Sequence, residues 1–228
     1  MEEAIDNTEL YRNTRVRTTQ LCRTFGGDGS GRVPCCPDWT VTDVVAHTTG
    51  VCADILAGNI AAAGTDPWTQ EQVDIRRGRS LEEVLVEWEQ LGPKVEAALA
   101  GGHLPDQLLA DTVTHEQDLR GAFDEPGYRD DPALLAGLRF LFDSLASAGG
   151  STELPPVKVI SGPYQRLIGD GEPQATLTVE PFELMRSFTG RRSLEQVKAY
   201  DWGGADPSPW LPMFSFGPFT PRSEPVLE

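Results

Sequence analysis

Apolar residues recur every three to four positions through the first two-thirds of the chain. This spacing places them on one face of an α-helix and predicts an amphipathic helix wherever it persists. The clearest stripe runs through residues 81–99, as Leu81, Val84, Leu85, Trp88, Leu91, Val95 and Leu99. The same pattern predicts helices over residues 5–25, from about 40 towards 64, from 105 to about 123, and from 131 to about 148. The pattern therefore predicts five helices.

Polar residues mark where two of these helices begin. Thr40 is followed three positions later by Asp43, and Ser80 is followed by Glu83. A hydroxyl and a carboxylate at this spacing cap the free N–H groups of the first helical turn. The intervening residues 64–79 are polar and irregular, and we expect a crossover loop there.

The composition changes after Gly149-Gly150-Ser151. Residues 157–161, 164–169 and 175–180 are rich in aliphatic and β-branched residues separated by Gly and Pro, which indicates short strands. Residues 181–189 indicate a short helix. The sequence therefore predicts an α+β, mainly α protein, with a helical bundle over residues 1–149 and a small α+β module over residues 150–228.

The charge balance limits the classes of partner. The chain has 35 Asp and Glu against 19 Lys and Arg, a net charge of −16. Such a surface repels phosphate backbones and anionic lipids, so we expect no nucleic-acid or membrane partner. No apolar run approaches the roughly 20 residues that span a bilayer, and the acidic N-terminus is unlike a signal peptide. We therefore predict a cytoplasmic protein, either monomer or homodimer.

The four cysteines form no CxxC pair, which favours a reduced protein. Cys35 and Cys36 directly precede Pro37, and we interpret them as small packed residues at a helix entrance rather than as redox groups. Trp39 and Trp88 are predicted to be core anchors rather than platforms on which a cofactor stacks.

Two of the three histidines lie on predicted apolar faces. His47 is inside the second helix, and rotation by 100° per residue puts His115 in the apolar arc of the fourth. Asp111 precedes His115 by four positions and so shares its face. Burying an imidazole and a carboxylate is unfavourable unless they pair or bind a cation. The residues alone leave both possibilities open, a satisfied polar pair or a metal site between bundle helices.

Two further polar residues have less certain surroundings. His103 lies in GGHLP at a helix junction, and we predict a solvated loop residue there. Asp118 lies one turn after His115, where it either orients that imidazole or is an exposed helix residue.

Three segments together resemble one known family. They are VPCCPDWTVTDVVAHTTG at 33–50, DTVTHEQDLRGAFDEPG at 111–127, and TVEPFELMRSFTGRRSLEQVKAYDW at 178–202. In this order they resemble the DinB-like superfamily, and most closely its actinobacterial mycothiol-dependent maleylpyruvate isomerase family. The resemblance implies a DinB-like four-helix bundle, here with up to five helices, followed by a C-terminal module.

The resemblance also implies a chemistry. It puts the metal ligands at His47, Asp111 and His115, although the family enzyme has a glutamate where this chain has Asp111. The expected cofactors are a divalent metal, with zinc first and nickel, manganese or iron as alternatives, and mycothiol. The implied function is a metal-dependent mycothiol S-transferase or isomerase acting on a small electrophile. The alternative is a non-catalytic metal- or ligand-binding protein of the same fold.

Overall fold

The computed structural model describes residues 6–100, 106–147, 154–215 and 217–228. Three sequence predictions fall outside these ranges. They are the loop position of His103, the end of the third predicted helix at Gly101-Gly102, and the boundary between the two parts at Gly149-Gly150.

The described residues form two compact units. The first comprises residues 6–127 together with Glu228, and the second comprises residues 128–227. The first unit contains α1 (Asn7–Phe25), β1 (Arg32–Val33), β2 (Cys36–Thr40), α2 (Val41–Ala57), α3 (Asp66–Ile75), α4 (Leu81–Ala100) and α5 (Gln107–Phe123). Within the described ranges, no helix of either unit is long and apolar enough to cross a membrane.

The second unit combines short helices with a three-stranded sheet. Its elements are α6 (Pro132–Ser147), β3 (Val157–Ser161), β4 (Tyr164–Ile168), β5 (Ala175–Thr178), α7 (Pro181–Phe188), α8 (Leu194–Lys198) and a 3₁₀ helix (Ser208–Phe214). The central strand β3 pairs antiparallel with β4 and parallel with β5. The predicted strands are confirmed, as is the α+β, mainly α fold class.

Helix α6 was predicted as part of the bundle but belongs to the second unit. Its Phe142 ring lies 5.6 Å from Phe188 of α7 and 6.5 Å from Tyr164 of β4, measured between ring centroids. An apolar stripe shows that a helix must be covered, but it does not show which neighbour covers it.

Helix α2 occupies the middle of the first unit, packed against α3, α4 and α5. Its predicted start is confirmed, because Thr40 and Asp43 form a reciprocal capping box. The same arrangement of Ser80 and Glu83 begins α4. Burial of the apolar faces of these helices supplies the main driving force for the bundle.

The prediction of a loop over residues 64–79 is wrong, because α3 occupies much of it. Only Trp68, Gln72 and Val73 of this helix are buried. A stripe this narrow, with a polar residue in its centre, does not stand out as helical periodicity. The end of α3 is tied to α4 by an ion pair from Arg76 to Glu87 with an N–O distance of 2.6 Å.

Gly50 of α2 allows α3 to approach closely. A Cβ at this position would lie 2.4 Å from Cβ and 2.6 Å from Cγ of Gln72. Alanine would improve the helix propensity by up to about 1 kcal/mol, but overpacking costs about 1–3 kcal/mol. We therefore expect Gly50→Ala to lower the free energy of unfolding by about 1–2 kcal/mol in urea denaturation.

Gly31→Ala is the control for this substitution. The added methyl group would meet nothing closer than Val41 Cγ2 at 4.0 Å, an ordinary contact. A Gly50→Ala protein as stable as the parent would show that α3 is not held against α2 at this point.

Candidate metal centre

Helices α2 and α5 bring His47, Asp111 and His115 together. Asp111 Oδ1 lies 3.4 Å from His47 Nε2 and 3.6 Å from His115 Nε2. One ligand atom from each residue lies within 4.8 Å of the other two. A tetrahedral zinc site with bonds of about 2.1 Å separates its ligand atoms by about 3.4 Å. The two distances from Asp111 Oδ1 to the imidazoles therefore match the spacing of ligands around one divalent cation.

The other ring nitrogen of each histidine has a hydrogen-bonding partner. His47 Nδ1 lies 2.7 Å from Oε1 of Gln72, and His115 Nδ1 lies 2.9 Å from Oδ2 of Asp118. Histidines that bind metals commonly donate their second N–H in this way. With both Nδ1 atoms engaged, the two Nε2 atoms face Asp111.

Burial makes His115 in particular a suitable ligand. His47 and His115 are 4% and 6% exposed, whereas the side chain of Asp111 is 28% exposed. Burial lowers the pKa of His115, although the carboxylates of Asp111 and Asp118 act in the opposite direction. A lowered pKa favours the neutral imidazole, which is the form that binds a metal.

The chemistry of the donor set also fits a reactive metal. Two neutral imidazoles and one carboxylate leave a tetrahedral ion with one position for an exchangeable ligand. Structural zinc sites are instead closed by four protein ligands. The three residues can therefore hold an ion and leave it accessible to a small molecule.

Asp118 belongs to a second polar group beside this centre. It is fully buried, which rules out the alternative of an exposed helix residue. Its Oδ2 accepts hydrogen bonds from His115 and from Cys36, whose Sγ lies at 3.4 Å. Cys36, His115 and Asp118 also have ligand atoms within 4.8 Å of one another. Because Asp118 engages the Nδ1 of His115, this group supports that imidazole on the side away from Asp111.

Trp39 flanks the two imidazoles. Its ring centroid lies 5.3 Å from that of His47 and 6.1 Å from that of His115. Trp39 is half-buried. Trp88, by contrast, is 1% exposed and lies in the core as predicted. Trp39 is therefore a wall of the site rather than a core anchor. The unpredicted strand β2, which pairs with β1, carries it there.

Sequence reasoning missed Gln72 entirely. It lies on α3, the helix predicted as a loop, and it is 2% exposed. Its Nε2 donates to Oδ2 of Asp54 at 2.8 Å. The sequence offered one indication that Gln72 is buried, its position four residues after Trp68 and directly before Val73. These three residues form the buried face of α3.

Comparisons with known proteins give a family match within the first unit. Residues 12–120, which include all three candidate ligands, match the family described as mycothiol maleylpyruvate isomerase N-terminal domain. No curated protein matches the sequence significantly.

Two solved structures share the fold. The chain is similar to the crystal structure of the mycothiol-dependent maleylpyruvate isomerase, with a TM-score of 0.53 and 12% identity over 81% of this chain and 88% of that chain. A histidine-to-alanine mutant of that enzyme matches with a TM-score of 0.51 and 10% identity over the same shares. At this identity the likeness concerns the fold alone.

Proposed function

We propose that this chain, whose residues 12–120 match the mycothiol maleylpyruvate isomerase N-terminal domain family, is a metal-dependent enzyme that activates a small thiol. The observation that carries the proposal is the proximity of His47, Asp111 and His115, whose ligand atoms lie within 4.8 Å of one another. Fold alone does not define a reaction, so the argument depends on this site.

The side chains around the site have separate roles in the proposal. His47, Asp111 and His115 hold the ion, while Gln72 and Asp118 orient the two imidazoles. A divalent metal there would lower the pKa of a thiol in its open position and so supply a thiolate nucleophile at neutral pH. Zinc is the proposed metal, and the same donors also accept nickel, manganese or iron.

The chain's own buried thiols are poor nucleophiles, which favours an external one. Burial raises the pKa of Cys22 to about 12 and that of Cys52 to about 11. The thiol of Cys36 donates to the buried carboxylate of Asp118. We therefore assign the nucleophile to mycothiol, adding to a small electrophilic substrate. Whether the product is an isomer or a thioether depends on which group leaves the adduct.

Metal content and thiol-dependent turnover test the proposal. Protein purified without a histidine tag is expected to contain about one metal ion per chain, as the three-ligand site requires. With mycothiol it should convert maleylpyruvate or a simple electrophile such as chlorodinitrobenzene, measured by ultraviolet absorbance. A chelator should abolish this activity, and added zinc should restore it.

Glutathione in place of mycothiol controls for the choice of thiol. A protein that shows no saturable metal binding, or whose turnover survives complete chelation, would contradict the proposal.

The alternative function is non-catalytic binding of a metal or small ligand. It is favoured by the presence of Asp111 where the resembling enzyme has a glutamate, because an aspartate side chain is one methylene shorter and would hold an ion in a different position. One equivalent of bound metal without turnover of any electrophile would support this alternative. The cytoplasmic location and the monomeric or homodimeric state stay predictions.

A further inference from the structure

We infer that Gln72, oriented by Asp54, selects the tautomer of His47 in which Nε2 is free to bind a cation. The assignment of the tautomer stands on the hydrogen bonds of the first unit. Its consequence for metal binding rests on the proposed function. Gln72 is thus a positioning residue that acts through His47.

The hydrogen bond to Gln72 decides which nitrogen of His47 carries the proton. Gln72 Oε1, an amide carbonyl oxygen, lies 2.7 Å from His47 Nδ1. A carbonyl oxygen only accepts, so His47 Nδ1 must be the donor. In a neutral imidazole the other nitrogen then carries the lone pair. That Nε2 faces Asp111 Oδ1 at 3.4 Å, a longer and weaker contact than the 2.7 Å bond to Gln72, so the proton is assigned to Nδ1.

Asp54 decides which way round the amide of Gln72 lies. The two ends of an amide group are nearly equal in shape and are distinguished by their hydrogen bonds. Gln72 Nε2 donates to Asp54 Oδ2 at 2.8 Å, and a carboxylate offers only acceptors. Reversing the amide would set an oxygen against the carboxylate and an NH₂ group against His47 Nδ1. That arrangement would favour the opposite tautomer, with a proton on Nε2.

Contacts of the loop between α2 and α3 hold the side chains of Asp54 and Gln72 in position relative to each other. Asn59 Nδ2 donates to Asp54 Oδ1 at 3.1 Å, and Trp68 Nε1 donates to the backbone oxygen of Asn59 at 2.9 Å. Together with the missing side chain at Gly50, these contacts keep the buried amide beside His47. These linked hydrogen bonds, anchored by the buried side chains of Trp68 and Gln72, restrict the rotation of the Gln72 amide.

The two candidate imidazole ligands are therefore supported differently. His115 is held by the carboxylate of Asp118, whereas His47 is held by a neutral amide with the carboxylate of Asp54 one residue further away. This arrangement fixes the tautomer of His47 without placing a second charge directly against its ring.

The metal-free parent protein provides the first test. Long-range ¹H–¹⁵N NMR at about pH 8, where histidine is ordinarily neutral, distinguishes the two tautomers. The sequence has three histidines, so the His103→Ala and His115→Ala variants suffice to assign the His47 signals. We expect the Nδ1–H tautomer at His47. Observation of the Nε2–H tautomer in the parent would overturn the inference whether or not any variant folds.

The second test removes the acceptor. Gln72→Leu is expected to increase the Nε2–H population of His47 and to weaken zinc binding by about 10–100-fold, the usual effect of losing such a partner. Competition with a chelator measures the affinity. Gln70→Leu is the matched control, because Gln70 is exposed on the same helix and donates to Asp74 at the surface, away from His47.

A double variant separates orientation from packing. In Asp54→Asn/Gln72→Glu the new carboxylate accepts from both His47 Nδ1 and the new amide, so the hydrogen-bond directions are retained. We expect it to keep the parent tautomer and to bind zinc with an affinity within about 10-fold of the parent's, a smaller loss than that expected when the partner is absent.

An unchanged tautomer in Gln72→Leu, or a reversed one in the double variant, would overturn the inference. A parent with the expected tautomer but no zinc binding would contradict the proposed function while leaving the tautomer assignment intact.

Discussion

Replacing His115 with alanine is expected to raise the dissociation constant for zinc by more than about 100-fold, beyond the effect of losing an outer partner. The substitution removes one of three donors and also takes away the group that Asp118 Oδ2 contacts at 2.9 Å. Competition with a chelator measures the affinity, and elemental analysis measures the metal retained after dialysis. His47→Ala should behave in the same way, because its Nε2 faces the same point.

His103→Ala is the control for the loss of a histidine, since it leaves all three candidate ligands in place. Circular dichroism of each metal-free variant shows whether the helices are retained. If His115→Ala binds zinc as tightly as the parent, the ion lies elsewhere and the proposed function loses its metal site. Asp118→Asn should give a smaller loss, about 10–100-fold, because the amide can still accept from His115 Nδ1.

Glu116→Gln is expected to lower the free energy of unfolding of the metal-free protein by about 3 kcal/mol. Glu116 is fully buried, and its carboxylate accepts from Arg17 Nε at 2.8 Å and from Arg120 Nε at 3.0 Å. Removing one partner of a buried ionic network costs about 3–5 kcal/mol, because the opposite charges lose their compensation. We expect the lower end of this range because Arg120 also donates to the backbone oxygen of Glu125.

Urea denaturation in the presence of a chelator measures this change without a contribution from metal binding. Glu89→Gln is the matched control, since Glu89 pairs with Arg23 at the surface, where the expected loss is below about 1 kcal/mol. Equal effects of the two substitutions would contradict the view that the buried network between α1 and α5 stabilises the first unit.

The first unit shows how much of the site was readable from the sequence. The apolar stripes predicted α2 and α5, the capping residues predicted the start of α2, and rotation along α5 put Asp111 and His115 on one face. These features are local, so they are encoded within a few neighbouring residues. The resemblance of residues 33–50 and 111–127 to a known family then joined His47 to the other two.

Local pattern suggested Asp118 as a partner of His115, but it could not identify Gln72 as the partner of His47. Helix α3 has a buried face of only three residues. Strands β1 and β2 are too short to show a recognisable alternation of apolar and polar residues. Gln72 and Trp39 therefore had no signal that linked them to the site. Their role follows from the packing of α3 on α2 and from the pairing of β2 with β1.

By itself, the sequence determined the five longest helices and the three strands of the second unit, which residue types are available for metal binding, and which residues share a helical face. Each of these depends on the spacing of residues along one element. Only the tertiary structure decided that α6 packs with the second unit, that Asp118 is buried, and that an amide lies against His47. Those outcomes depend on contacts between residues far apart in the chain, which periodicity within a single element does not contain.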